Sequence, residues 1–485
     1  STGDGADDIT GGTGADNISG GAGDDIFTFV TANLDSNDTI DGGAGNDTLT
    51  MSGDGTFIDA DFTNITNTEF IVGASTTTAL TATLGTKAAA AGITKFTFSD
   101  TGADGEKLTV SAGFDKNLTV VLDGSKLNNL IATNYTKDLT VTVPGASFDV
   151  SAEAHTLTGG SGTDNLEVTL TADEPPVLTN VTNFETLTLK TDGLSAHVAT
   201  VTTVEGNVAK DASLTIDATA FDASTDAKLV FDGSAETNGN LTIKVAGAAA
   251  HTATLGEGND TFTDTGSGAV EVTANKGNNT ITMGTGAGKV TSGSGTDIIT
   301  GGDGADTFIF ESAANSIGDS ILDFKSADDQ VQIKLDVSSF ATAQTVNAVR
   351  VTAGVAGVAT GEASLTGKKG EFFYDTTNSK LVVDLTGDGT ISGADHNFSI
   401  NAATTAKDTI AATDINFVVT GTNNGDIITT GGGADIITAG TGADTLKGGA
   451  GDDVITGSGG IDTITGGTGA DTITGGAGAD IIDVT

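Results

Sequence analysis

The sequence predicts an all-β chain, a right-handed parallel β-solenoid of tight coils separated by longer β segments. Three observations carry the prediction. A nine-residue phrase recurs in register near both ends and in the middle of the chain. Outside it, runs such as LTVTV (139–143), LTIKV (241–245) and LVVDL (381–385) alternate apolar and polar residues as strands do. Helix signals are scarce, and a stretch such as LGTKAAAAG (84–92) suits a single helical turn. A fixed period means stacked, similar units, so the fold is read from the period first.

The first element, residues 1–50, reads TGDGADDIT, GGTGADNIS and GGAGDDIFT, then GGAGNDTLT at 42–50. Asp7, Asp16, Asp25 and Asp47 fall at position 6 of these nonads. Glycines at positions 1, 2 and 4 permit backbone angles that a side chain would forbid, so that half of the nonad is a tight turn. Positions 7 to 9 are β-branched or aliphatic, which suits a short strand with position 8 inward. Turn, strand, turn, strand then closes one flattened coil every two nonads.

Two related modules follow, 51–158 and 159–254. The second opens on the nonad GGSGTDNLE (159–167), with Asp164 at position 6. After Asp47 comes FTNITNTEFIV, and after Asp164 comes LTNVTNFETLTL, so nonad, excursion, N-x-E and strand occur twice. Glu69 and Glu185 are either polar strand or turn residues or metal ligands. Residues 255–310 return to nonads: LGEGNDTFT, a degenerate NKGNNTIT, SGSGTDIIT and GGDGADTFI, with Asp260, Asp297 and Asp306 in phase. Within 311–420 stands DLTGDGTISGAD (384–395). It follows a twelve-residue calcium-loop pattern, with Asp384, Thr386, Asp388, the Thr390 carbonyl and Asp395 as ligands around Gly389. Strand-like residues before it and Asp at the twelfth position depart from that pattern, so an acidic hairpin turn remains the alternative.

The last element, 421–485, holds seven uninterrupted nonads from GTNNGDIIT to GGAGADIID. Position 6 is Asp in every one: Asp426, Asp435, Asp444, Asp453, Asp462, Asp471 and Asp480. Position 8 is always aliphatic. One row of small aliphatics is a thin core for so long a segment, and rows of stacked aspartates repel. The missing stabilisation is a cation. Carboxylate and carbonyl oxygens in a flexible loop favour calcium, whereas zinc would want the His or Cys that the repeat lacks.

GGAGDDVIT (448–456), GGTGADTIT (466–474) and GGAGADIID (475–483) resemble the glycine- and aspartate-rich nonapeptide of RTX proteins. That resemblance implies a calcium β-roll in which the carbonyls at positions 2 and 4 and the position-6 aspartate bind the ion, with oxygens from the nonad two further on. Carried onto this chain, Gly449, Gly451 and Asp453 would bind with help from Gly466 and Asp471. The same roles would fall to Gly12 and Gly14 with Asp16, Gly21 and Gly23 with Asp25, and Gly302 and Gly304 with Asp306. They would also fall to Gly440 and Gly442 with Asp444, Gly467 and Gly469 with Asp471, and Gly476 and Gly478 with Asp480. SIGDSILDFKSADDQVQI and the later EFFYDTTNSKLVVDLTGDGTISGADHNFSI resemble the segment that follows the roll in serralysin proteases, over about 310–420.

The net charge of −45 argues against nucleic acid or an anionic membrane as a bare partner. There is no cysteine, and no apolar run is long enough to span a membrane. Ser1 begins almost inside a repeat, so the chain is expected to be part of a longer one; RTX proteins typically leave the cell by type I secretion. The four histidines, His155, His197, His251 and His396, form no H-E-x-x-H, and no G-x-S-x-G occurs, so no active-site signature is present and a non-enzymatic protein is expected. The modular pattern, low aromatic content and richness in Thr, Ala and Gly resemble RTX-type surface-layer proteins of Gram-negative bacteria. That resemblance implies self-assembly into a two-dimensional lattice on the cell surface, with an absent N-terminal region as anchor to lipopolysaccharide. An RTX adhesin or motility protein is the alternative, and a β-helix enzyme acting on polysaccharide a third reading.

Overall fold

The structure is a computed structural model. It describes residues 3–53, 55–74, 79–99, 105–122, 128–143, 156–170, 178–193, 197–221, 227–312, 315, 318–325, 328–336, 345–348, 372–375, 380–383, 396–402 and 414–485. Among these the regular structure is almost wholly strand, and nearly all strand pairs are parallel, as a β-solenoid requires. The exceptions are local. Thr86–Ala91 forms a six-residue α-helix, started by Asp59, whose carboxylate accepts the N–H groups of Gly85, Lys87 and Ala88, and stopped by Gly92 at φ +115°. Lys380–Val383 pairs antiparallel with Phe372–Asp375 and with His396–Ala402. The chain divides into two compact units, Ser1–Ala249 and Ala250–Thr485.

In the first unit one ladder runs from Asp8–Thr10 through Ile26–Val30, Thr48–Ser52 and Phe70–Ala74 to Lys95–Phe98. It continues through Leu118–Val121, Leu139–Val143, Asn165–Leu170 and Thr186–Thr191 to Ser213–Ala220 and Asn240–Val245. Register keeps one apolar side chain above another: Phe27, Leu49, Ile71, Phe96, Val120, Val141, Leu166, Leu187, Ile216 and Ile243. All ten are buried. Removing each from water contributes about 1.5–3 kcal/mol, so the long modules carry their own core. A second ladder, Gly55–Phe57, Leu80–Leu84, Glu106–Val110, Asn128–Ile131, Thr156–Thr158 and Val181–Thr182, comprises the returning strands of the same coils.

The second unit stacks His251–Thr254, Val270–Thr273, Gly288–Thr291, Thr307–Phe310, Gln330–Asp336, Ile415–Thr420, Ile436–Thr438, Val454–Thr456 and Thr472–Thr474. In the last element the alternate nonads pair separately, Ile427–Thr430 with Thr445–Ala450, Thr463–Thr468 and Ile481–Asp483. Paired residues there lie eighteen apart, as two nonads per coil require. Position 8 points inward: Ile428, Ile437, Leu446, Ile455 and Ile464 are buried, while position 7 faces out, as at Ile427, Ile436 and Val454. The inward row loses cover in the last coils, where Ile473 is half-buried and Ile482 is 46% exposed.

Candidate metal centre

Each coil turns on its position-6 aspartate. In the last element the Asp426 N–H donates to Asp444 Oδ1 at 2.6 Å, Asp435 to Asp453 at 2.9 Å, and Asp444 to Asp462 at 2.9 Å. Asp453 donates to Asp471 and Asp462 to Asp480, both at 3.0 Å. The first element repeats this, with Asp7 donating to Asp25 and Asp25 to Asp47, each at 2.8 Å. One carboxylate oxygen therefore holds the previous coil in register. Asp25, Asp47, Asp164, Asp260, Asp297, Asp306, Asp426, Asp435, Asp444, Asp453 and Asp462 are buried, and Asp7, Asp16, Asp471 and Asp480 are half-buried.

The second carboxylate oxygen turns back over position 1 of its own nonad. A Cβ on Gly448 would lie 2.2 Å from Asp453 Oδ2 and 2.8 Å from the Gly466 carbonyl oxygen; on Gly457 it would lie 2.3 Å from Asp462 Oδ2 and 2.5 Å from the Gly475 oxygen. The same pair recurs over Gly20, between Asp25 Oδ2 and the Gly42 oxygen. Carboxylate and carbonyl thus converge on one small space between coils, and neither oxygen can donate to the other. This corrects the expectation that all three glycines serve backbone angles. Gly449 and Gly451 do, each at φ +123°, but Gly448 is glycine because a side chain would occupy the space these oxygens share. The position-2 carbonyl is partly engaged, since Gly431 accepts the Ala450 N–H at 2.9 Å. Of the remaining sequence-assigned glycines, Gly21, Gly23, Gly302, Gly304, Gly440 and Gly467 are half-buried, Gly442 is buried, and Gly12, Gly14, Gly469, Gly476 and Gly478 are exposed at the turn edges.

Some nonads satisfy the inner oxygen from within the chain. The position-2 N–H donates to it from Gly12 to Asp16, Gly256 to Asp260 and Thr422 to Asp426. In the degenerate nonad Asn279 replaces the aspartate; its Oδ1 accepts the Asp260 N–H, and its Nδ2 donates to the carbonyls of Ala274 and Lys276. There an amide group does internally what a cation would do. At 301–309 the Lys325 ammonium donates to the Gly302 carbonyl at 2.8 Å and to Asp303 at 2.7 Å, placing a fixed positive charge on one of the expected ligand carbonyls. At 292–300 the Ser292 hydroxyl lies 3.1 Å from Asp297 Oδ2 and 2.6 Å from Asp319 Oδ2.

Other nonads have no such device. The inner oxygens of Asp7, Asp25, Asp47, Asp444, Asp453 and Asp462 are buried without a hydrogen-bond partner. A buried carboxylate without a partner either meets a cation or takes up a proton. Burial pushes the Asp453 carboxyl up to about 6, opposed by the Asp435 N–H and reinforced by Asp471 and Asp452. Burial likewise raises Asp435 and Asp306 to about 7, and raises Asp444 and Asp47. Among the described residues no three or more Asp, Glu, His or Cys side chains gather as metal ligands. The donor set is one carboxylate with main-chain carbonyls, hard oxygens in a turn that fit calcium and not zinc.

Three carboxylates in this series lack the glycine signature and escaped the sequence reading. Asp38 accepts the Asp16 N–H at 2.9 Å, Asp319 that of Asp297 at 2.7 Å and Asp329 that of Asp306 at 3.1 Å. The signal was an aspartate two residues before a buried aliphatic, in NDTI, GDSI and DDQV, without the turn glycines. The twelve-residue loop with Asp384, Thr386, Asp388, Thr390 and Asp395 lies outside the described residues.

Parallel coils of two nine-residue turns, each presenting a buried carboxylate to main-chain carbonyls, define a calcium β-roll solenoid. The RTX calcium-binding nonapeptide repeat family matches in four copies, at residues 1–29, 34–50, 420–455 and 456–484. The chain carries RTX-type calcium-binding repeats near both ends. Residues 260–415 match the serralysin C-terminal family of M10 peptidases, a non-catalytic repeat domain. That match begins earlier than the resemblance at about 310–420, because the central nonads belong to it. No curated protein matches the chain.

Proposed function

We propose that the protein is a secreted structural component of a Gram-negative surface layer, exported by a type I system, folded on several calcium ions outside the cell and assembled with copies of itself. The observation that carries the reading is the same donorless pair, carboxylate oxygen and carbonyl oxygen, recurring over Gly20, Gly448 and Gly457. Asp25, Asp453 and Asp462 are the ligands we assign first, each with the carbonyl of the following coil, at Gly42, Gly466 and Gly475. Bound calcium supplies the positive charge that these buried oxygens otherwise lack. The residues themselves set the register, since each carboxylate ties its own coil to the one before.

Support for a structural role over catalysis is the absence of any catalytic motif in the sequence, together with modules that repeat a scaffold. Electron microscopy of the purified protein in millimolar calcium is the test. Ordered two-dimensional sheets are expected; single particles at high concentration would favour the adhesin reading.

A further inference from the structure

The nonads at 42–50 and 159–167 are not followed, one coil on, by another nonad. The N-x-E segments stand there instead, Asn67-Thr68-Glu69 and Asn183-Phe184-Glu185. Glu69 Oε2 accepts the Asp47 N–H at 2.9 Å, and Glu185 Oε2 accepts the Asp164 N–H at 2.7 Å. In the rolls, that hydrogen bond goes to the aspartate of the next coil. Glutamate is one methylene longer and reaches the same place from a segment with different spacing. Asn67 and Asn183 take φ +50° and +57°, the left-handed region that asparagine tolerates better than most residues.

That turn aims the asparagine carbonyl back at the nonad. A Cβ on Gly42 would lie 1.8 Å from the Asn67 carbonyl oxygen and 2.6 Å from Asp47 Oδ2; on Gly159 it would lie 1.9 Å from the Asn183 oxygen and 2.6 Å from Asp164 Oδ2. These are the two oxygens that converge in the rolls, here supplied by one nonad and one segment outside the repeat. Asp47 is fully buried, and its Oδ2 has no hydrogen-bond partner. Asp164 is also fully buried, though its Oδ2 accepts the Gly160 N–H at 2.5 Å and its Oδ1 that of Leu139 at 3.0 Å. The Asn67 side chain is turned away, its Nδ2 donating to Asp41 at 2.7 Å, so the backbone carbonyl faces the space.

We propose that Asp47, the Asn67 carbonyl and Glu69 hold a calcium ion between a nonad and the N-x-E segment that follows it; at Asp164 the Gly160 N–H already fills the inner oxygen, so Glu185 there sets register without an ion. N-x-E at 67–69 is then a half-site that lets a long-spaced β module continue a calcium roll, pinning the first excursion to the nonad before it. This rests on the reading that the nonads bind calcium.

Native mass spectrometry of the full chain, titrated with calcium, counts the ions. Glu69→Gln and Glu185→Gln keep a hydrogen-bond acceptor but remove a charge. Glu69→Gln should lose one ion, or bind it about tenfold or more weakly, while Glu185→Gln should keep the full count. Glu167→Gln, whose carboxylate pairs with Lys190 at 3.0 Å, should keep the full count. An unchanged count and affinity in Glu69→Gln overturns the proposal. If the variants do not fold, hydrogen exchange on the unaltered chain decides. Amides at 42–48 and 65–70 slowed by calcium support the half-site; amides there already protected in chelator, while 421–483 still gains protection, overturn it. A chain that takes up no calcium anywhere sinks the wider reading as well.

Discussion

The two aspartates of GGAGDDVIT separate function from mere acidity. Asp453 is buried and turns its Oδ2 toward the Gly466 carbonyl, whereas Asp452 is exposed and accepts one N–H, from Ala470, at 2.7 Å. Asp453→Ala should therefore abolish the local ion and weaken the calcium-loaded roll, while Asp452→Ala should cost about 0.5–1 kcal/mol and leave calcium affinity nearly unchanged. Isothermal titration of both variants checks this, and equal losses would refute the register. The position-1 glycine gives a sharper contrast. Gly448→Ala pushes a methyl group into the space between Asp453 Oδ2 and the Gly466 carbonyl, while Gly459→Ala would meet nothing closer than 3.9 Å. The first should weaken calcium binding and cost about 1–3 kcal/mol; the second should be tolerated, as thermal melts in calcium would show. The phase of the aspartates was legible in the sequence because nine-residue spacing leaves an unmistakable mark. The reason for glycine at position 1 was not, because it depends on which way a carboxylate folds, and neither Asp38 nor Asp319 has the glycines that betray a turn.

At the level of the coil, acidity and calcium act in opposite directions. Without the ion, burial holds the Asp453 carboxyl near 6 and Asp435 near 7, against an ordinary value of 3.8. Between those limits the folded roll binds protons that the unfolded chain has already released, so its stability falls as pH rises, and the penalty is complete above the folded values. With calcium present, protons instead compete for the same oxygens. The rise in melting temperature produced by calcium should thus be large at pH 8 and shrink progressively below about pH 7, as calorimetry across that range would record. A calcium effect independent of pH would mean that the buried carboxylates are not the ligands. The core itself points the same way. The long modules stack Ile71, Phe96, Val120 and Val141, whereas the last element has one small aliphatic per nonad. Residues 421–483 should accordingly exchange their amide hydrogens fast in chelator and slowly in calcium, with the interior of 80–98 less affected. Alternation and the nonad made both kinds of coil readable. The continuous apolar ladder was less so, since its spacing varies from coil to coil and only strand pairing reveals which residues stack.

Over the whole molecule the governing quantity is charge. At −45 the chain repels its own copies in calcium-free solution, although salt screens exposed charges beyond about 10 Å at moderate ionic strength. Calcium at the buried sites proposed above would neutralise charge inside those coils. In the proposed lattice, carboxylates on the exposed coil surface, such as Asp4 and Asp8, would serve ions shared between facing subunits. Assembly should then require more calcium than folding does, because a shared site is completed only when two chains meet. In a titration followed by circular dichroism and light scattering, the β signal should rise first and the scattering second. Magnesium should do neither well, since it demands a tighter octahedral shell and gives up its waters reluctantly. Monovalent salt raised enough to screen the charge should not replace calcium either, because screening removes repulsion without supplying a bridge. Scattering that grows with salt alone would show that neutralisation suffices and that no ion is shared. Folding in calcium with no rise in scattering at any protein concentration would remove the lattice from the proposal and leave a singly displayed, calcium-stiffened surface protein.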